Sequence, residues 1–166
     1  MDRLSDDLLC EIMSWVGSKD YYSMSQVCRE WRALAPCTLR EIKNIDCWNE
    51  KFVSIMIPPT LVNLERIDCS KNKLTEFVIP PTLVNLKYIY CFDNKLTELM
   101  IPPTLVNLRE LYCCGNELTS LMLPLTLVNL KYIYCSNNKL TELMIPDTFV
   151  NLIGLSYSTG MEVKYL

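Results

Sequence analysis

The sequence predicts an α+β chain: a small N-terminal three-helix module over residues 1–38, then over 39–166 a short solenoid with a parallel concave sheet. Three observations carry this. Cys47, Cys69, Cys91, Cys113 and Cys135 fall at a strict interval of 22 residues, the kind of period that marks stacked coils. Each closes a short alternation such as Ile89, Tyr90, Cys91, the period of two expected of a strand with one buried face. The residues before Leu39 lie outside the period, carry no proline until Pro36, and read as helix.

In the N-terminal module Ser5 is placed to cap a first helix, with Asp6 and Asp7 in the turn where the helix dipole favours negative charge. Leu4, Leu8, Leu9, Ile12 and Val16 follow helical spacing, and Gly17 falls where a C-terminal cap belongs. A second helix starts near Asp20 and runs toward Val27. A third covers Cys28 to Ala35 and stops at Pro36.

The solenoid divides into coils at 39–60, 61–82, 83–104, 105–126 and 127–148, with an incomplete one at 149–166. The four middle copies share the frame L-x-x-[IL]-x-C-x-x-N-x-L, for example Leu86, Ile89, Cys91, Asn94 and Leu96. One copy cannot bury its own apolar face, whereas stacked copies share an interior and pair their strands, about 4.8 Å apart. Asn72, Asn94, Asn116 and Asn138 then form an interior ladder, because an amide can satisfy turn N–H and C=O groups that would otherwise be buried unpaired. The Ile-Pro-Pro-Thr segments exclude a long helix on the return side, leaving extended chain with a short helical turn at Thr-Leu-Val-Asn.

Composition excludes several function classes. In 166 residues there is no His, removing the usual general base and the commonest metal ligand, and four Gly cannot build a phosphate-cradling loop. A formal charge of -3 offers no field for a polyanion, so no nucleic-acid partner is expected. The acidic start MDRLSDDLL reads as no signal peptide, and no apolar run approaches the roughly 18 residues of a membrane span. An intracellular protein, cytoplasmic or nuclear, without membrane attachment, cofactor or metal is expected. Nine Cys is an odd count with no CxxC pair, and in-register parallel strands suit a disulfide poorly. The five-Cys file therefore reads as core rather than as a metal or redox site.

The frame L-x-x-[IL]-x-C-x-x-N-x-L resembles the leucine-rich repeat, with Cys at its third hydrophobic position, from Leu39 to the end of the sequence. Residues Leu4, Asp7, Leu8, Leu9, Ile12, Val16, Asp20, Val27, Cys28, Arg29 and Trp31 resemble the F-box, most specifically in the string Val-Cys-Arg-Glu-Trp-Arg. Ser5 stands where that family has Pro, and Tyr21 where it has Leu. The resemblance implies docking on the Skp subunit of an SCF-type ubiquitin ligase through Leu4, Leu8, Leu9, Ile12, Val16, Tyr21, Val27, Cys28 and Trp31. It also implies a repeat domain that captures the protein to be ubiquitinated, and no catalytic residues. A Skp-binding decoy, a plain repeat-based binding module and a helical cap for the first coil are the alternatives. The wording Ile-Pro-Pro-Thr-Leu-Val-Asn-Leu resembles repeats of large DNA viruses of protists, which would make this a viral protein acting on its host.

In a leucine-rich repeat the residues between the buried strand positions face outward on the concave side. Here these are Asn44, Asp46 and Trp48; Arg66, Asp68 and Ser70; Tyr88, Tyr90 and Phe92; Glu110, Tyr112 and Cys114; Tyr132, Tyr134 and Ser136. Tyrosines bury area at low entropy cost and suit an interface, although stacked rings also stabilise neighbouring strands. The candidate cargo-binding set is Trp48, Arg66, Asp68, Tyr88, Tyr90, Phe92, Tyr112, Tyr132 and Tyr134. Lys87, Arg109 and Lys131 form a basic margin that would suit a segment carrying acidic groups, while Asp46 and Asp68 make the first coils acidic.

Overall fold

The structure, a computed structural model, describes residues 42–166. The expected three-helix module therefore lies outside the described residues, and within them every regular element is a strand. Five strands recur at the 22-residue period: β1 (Asn44–Asp46), β2 (Arg66–Asp68), β3 (Tyr88–Tyr90), β4 (Glu110–Tyr112) and β5 (Tyr132–Tyr134). Then follow β6 (Glu142–Ile145), β7 (Gly154–Ser156) and β8 (Glu162–Tyr165). β1 to β5 and β7 form one six-stranded parallel sheet, and β6 pairs with β8 in a second, two-stranded parallel sheet.

The period sets the register: Ile45 pairs with Ile67, Ile67 with Ile89, Ile89 with Leu111 and Leu111 with Ile133. Equivalent positions therefore stack in files, and a file of Ile and Leu with no exposed surface runs beside the Cys file through the interior. Alternation places each middle strand residue inward and its two neighbours outward. The five Cys are all buried and reduced. Burial raises the thiol pKa of Cys69, Cys91 and Cys113 well above the ordinary value. Cys69 Sγ donates to the Tyr90 carbonyl at 3.5 Å and Cys135 Sγ to that of Ser156 at 3.4 Å. Cys114 is half-buried outside this file.

The asparagine ladder is formed. Asn94 Nδ2 donates to the carbonyls of Cys69 (3.0 Å) and Cys91 (3.1 Å), and its Oδ1 accepts from Leu74 N (3.0 Å). Asn72, Asn116 and Asn138 repeat the pattern, so each amide ties its own coil to the one before.

The return side differs from the expected helical turn. Leu83 N bonds Pro80 O and Leu86 N bonds Leu83 O, two successive four-residue turns, repeated at Leu105 and Leu108 and at Leu127 and Leu130. The polar side chains there point to the neighbouring coil. Thr82, Thr104 and Thr126 Oγ1 donate to the carbonyls of Pro59, Pro81 and Pro103 at 2.6 Å. Asn85, Asn107, Asn129 and Asn151 Nδ2 donate to Val62, Val84, Val106 and Val128 at 2.8–3.0 Å. The last coil has Gly160 in place of the ladder Asn and is held instead by β7 on the front and β8 on the back.

Candidate binding face

The concave sheet brings the expected cargo residues of β2 to β5 onto one surface. Tyr90, Tyr112 and Tyr134 pair in register along one file, and Tyr88, Glu110 and Tyr132 along the next. Together they make a grid of three strands by two positions, five tyrosines around one carboxylate. All six are half-buried.

Ring contacts link the grid. Tyr90 and Tyr112 have centroids 4.9 Å apart at 56°, and Tyr112 and Tyr134 4.4 Å apart at 54°, tilted geometries favoured by the ring quadrupole. Tyr88 lies 6.4 Å from Tyr90 and Tyr132 6.5 Å from Tyr134. Tyr90 Oη donates to Glu110 Oε2 at 2.7 Å. Burial, then the hydrogen bond to Glu110, pushes the Tyr90 phenol far above its ordinary pKa. The Tyr112 phenol is pushed up to about 12, by burial first and by the Glu110 carboxylate and Tyr134 beside it. The stacked rings thus stabilise the sheet and still present a surface.

At the N-terminal end of the face the expectation is corrected. Asp68 stands in register with Tyr90 in the outward file, yet it is not exposed as a binding residue would be: its Oδ2 accepts from Arg66 Nη2 at 2.7 Å and its Oδ1 from Ser70 N at 3.2 Å. Ser70 is buried as well, its Oγ without a protein partner. A carboxylate beside a guanidinium folds down onto it, which the alternation of residues cannot reveal. Arg66 also reaches Asp46 at 3.7 Å, and its guanidinium lies 5.1 Å from the Tyr90 ring centroid. Trp48 remains 46% exposed, under Lys71 at 5.2 Å. Phe92 is half-buried at the far rim of the sheet.

The basic margin is thinner than expected, because Lys87 Nζ is taken by Glu65 at 2.6 Å, which holds the Glu65 carboxyl below its ordinary range. Arg109 and Lys131 remain exposed. Glu110 was outside the candidate set, although the 22-residue register already places it between Tyr88 and Tyr132. A second exposed apolar file, Val78, Met100 and Met122 on the convex side, also escaped the sequence reading. Its signal was the outward position between Phe77 and Ile79, Leu99 and Ile101, and Leu121 and Leu123. Among the described residues no three His, Cys, Asp or Glu side chains converge to hold a metal. The Skp-binding candidates Leu4 to Trp31 lie outside the described residues.

Family comparison gives two matches: the F-box domain over residues 1–36 and leucine-rich repeats, in two copies, over 106–149. Among solved structures, an internalin (InlF) from Listeria monocytogenes is similar at 28% identity and TM-score 0.61, over 78% of this chain and 38% of that one. The functional domain of InlJ from Listeria monocytogenes, described as including a cysteine ladder, is similar at 25% identity and TM-score 0.57, over 75% of this chain and 31% of that one. The leucine-rich-repeat ectodomain of the receptor kinase SOBIR1 from Arabidopsis thaliana shares the fold at 21% identity and TM-score 0.58, over 73% of this chain and 72% of that one. The chain thus spans well under half the length of either internalin chain. Comparison with curated proteins gives no match.

Proposed function

Because the chain joins an F-box to leucine-rich repeats, we propose that it is a substrate-recognition adaptor of an SCF-type ubiquitin ligase. In this reading the F-box docks on the Skp subunit, and the concave tyrosine face captures the protein to be ubiquitinated. The observation that carries it is the pairing on one chain of an F-box match over 1–36 with a repeat array whose sheet presents five tyrosines. The division of labour asks for no nucleophile or base in this chain, and its work is to bring two proteins together inside the cell.

The test separates the two halves. Full-length chain expressed in eukaryotic cells should co-purify Skp and cullin, and a Val27→Ala, Trp31→Ala double variant should lose both. Truncating Tyr90, Tyr112 and Tyr134 to Ala should leave Skp association intact and remove cargo. Absence of Skp from the wild-type complex would refute the adaptor reading. Skp association without ubiquitination of any bound protein would identify a decoy.

A further inference from the structure

We infer that the tyrosine face recognises a cationic side chain, so that the captured segment is basic; this rests on the concave face being the capture site. The centre of the grid is a carboxylate. Glu110 is its single formal charge, with Tyr88 and Tyr132 beside it in the adjoining strands and Tyr90, Tyr112 and Tyr134 along the next file. The Glu110 carboxylate lies against the Tyr90 hydroxyl at 2.7 Å and beside Tyr112, so a cation that pairs with Glu110 also meets the rings of that file.

Three further observations point the same way. This face already holds a cation against a ring, since the Arg66 guanidinium lies 5.1 Å from the Tyr90 centroid. Of the three carboxylates on the outward strand positions of β1 to β5, Asp46 and Asp68 are already engaged by Arg66, and Glu110 is the one that Arg66 does not pair. Tyr132 leans toward β7, because a Cβ built on Gly154 would meet its Cδ1 at 2.6 Å. The ring so placed lies on the β7 side of its own strand, away from β4, and Glu110 keeps part of its surface exposed.

Arg109 and Lys131 argue for an acidic segment, but they stand in solvent at the margin, where ion pairs are screened. Glu110 sits half-buried among rings, where the effective dielectric is lower and a charge pair counts for more. A carboxylate framed by aromatic faces selects for positive charge by both routes, through the counter-ion and through the ring quadrupoles.

The experiment uses the full-length chain and three fluorescent peptides of equal length, alternating Lys-Ser, Glu-Ser and Gln-Ser, read by anisotropy. The Lys peptide should bind roughly tenfold more tightly than either other peptide, and tetramethylammonium, a cation with no hydrogen-bond donor, should compete with it. Glu110→Gln keeps an acceptor for the Tyr90 hydroxyl and removes only the charge, so it should erase most of that preference with an unchanged melting temperature. Arg109→Gln should leave the preference in place. Preference for the Glu peptide, equal binding of all three, or an unchanged preference in Glu110→Gln would overturn the inference. Loss of Skp co-purification with the Lys preference intact would overturn the adaptor reading alone.

Discussion

In the four middle coils one asparagine amide contacts four backbone groups, and that makes it the most consequential polar side chain in the repeat. Asn94 is 7% exposed, and without it the Leu74 N–H loses its acceptor where water does not reach, while the carbonyls of Cys69 and Cys91 each lose one of two donors and keep Asn72 and Asn116. Asn94→Ala should therefore lower stability by about 1–3 kcal/mol, read as a fall in the urea midpoint. Asn85→Ala removes a bond to Val62 O on the exposed return side, where water replaces the lost donor, and should shift the midpoint much less. The two kinds of asparagine repeat equally well in the sequence. Only the interior ones were legible, because the leucine-rich frame gives them a role. The Thr and Asn files of the return side bond to the coil before, and nothing local signals that. Asp68 shows the opposite failure: alternation assigns its direction, but the Arg66 pair decides its exposure.

At the scale of elements, strands of three residues are short by any standard, and they persist because each is one rung of a sheet with identical rungs on both sides. Their position was legible from the Ile-x-Cys alternation, and their register from the period alone. The β6–β8 pair was not, since Glu142–Ile145 has the same wording as Glu98–Ile101, which forms no strand. The difference comes from β8 alone, paired from Glu142 with Glu162 to Ile145 with Tyr165. The packed files also fix how the sheet responds to base. Burial raises the thiols of Cys69, Cys91 and Cys113 well above 9.0 and that of Cys135 to about 11, while Tyr112 rises from 10.0 to about 12. For each of these groups the folded state holds its proton more tightly than the unfolded chain does. Its contribution is complete below the unfolded pKa and is lost as the pH rises toward the folded one. Stability should thus be level up to about pH 9 and fall steadily between about pH 9 and 12, with urea midpoints measured across that range as the readout.

For the whole molecule, stability in a stacked array is close to a sum over coils and the interfaces between them, so where a contact sits matters as much as what it is. Asn116 and Asn138 make the same three kinds of bond, one between the third and fourth coils and the other between the fourth and fifth. Beyond Asn138 no further ladder amide follows, and the last coil is tied by Cys135 N to Ser156 O, by β8, and by Lys164 between Glu142 and Glu162. Those carboxylate contacts are exposed and screened by salt, so the last coil depends on its two strand pairings. Removing Asn116 cuts the array in its middle, between coils that have neighbours on both sides. Removing Asn138 instead frees a shorter terminal piece, the fifth coil and the incomplete sixth. Native-state hydrogen exchange should therefore show Asn138→Ala speeding exchange mainly over residues 139–166, with the amides of Ile89 and Leu111 still protected. Asn116→Ala should instead bring the amides of β3, β4 and β5 down together. Equal and uniform loss in both variants would mean that the coils unfold as one cooperative unit, with no weaker end.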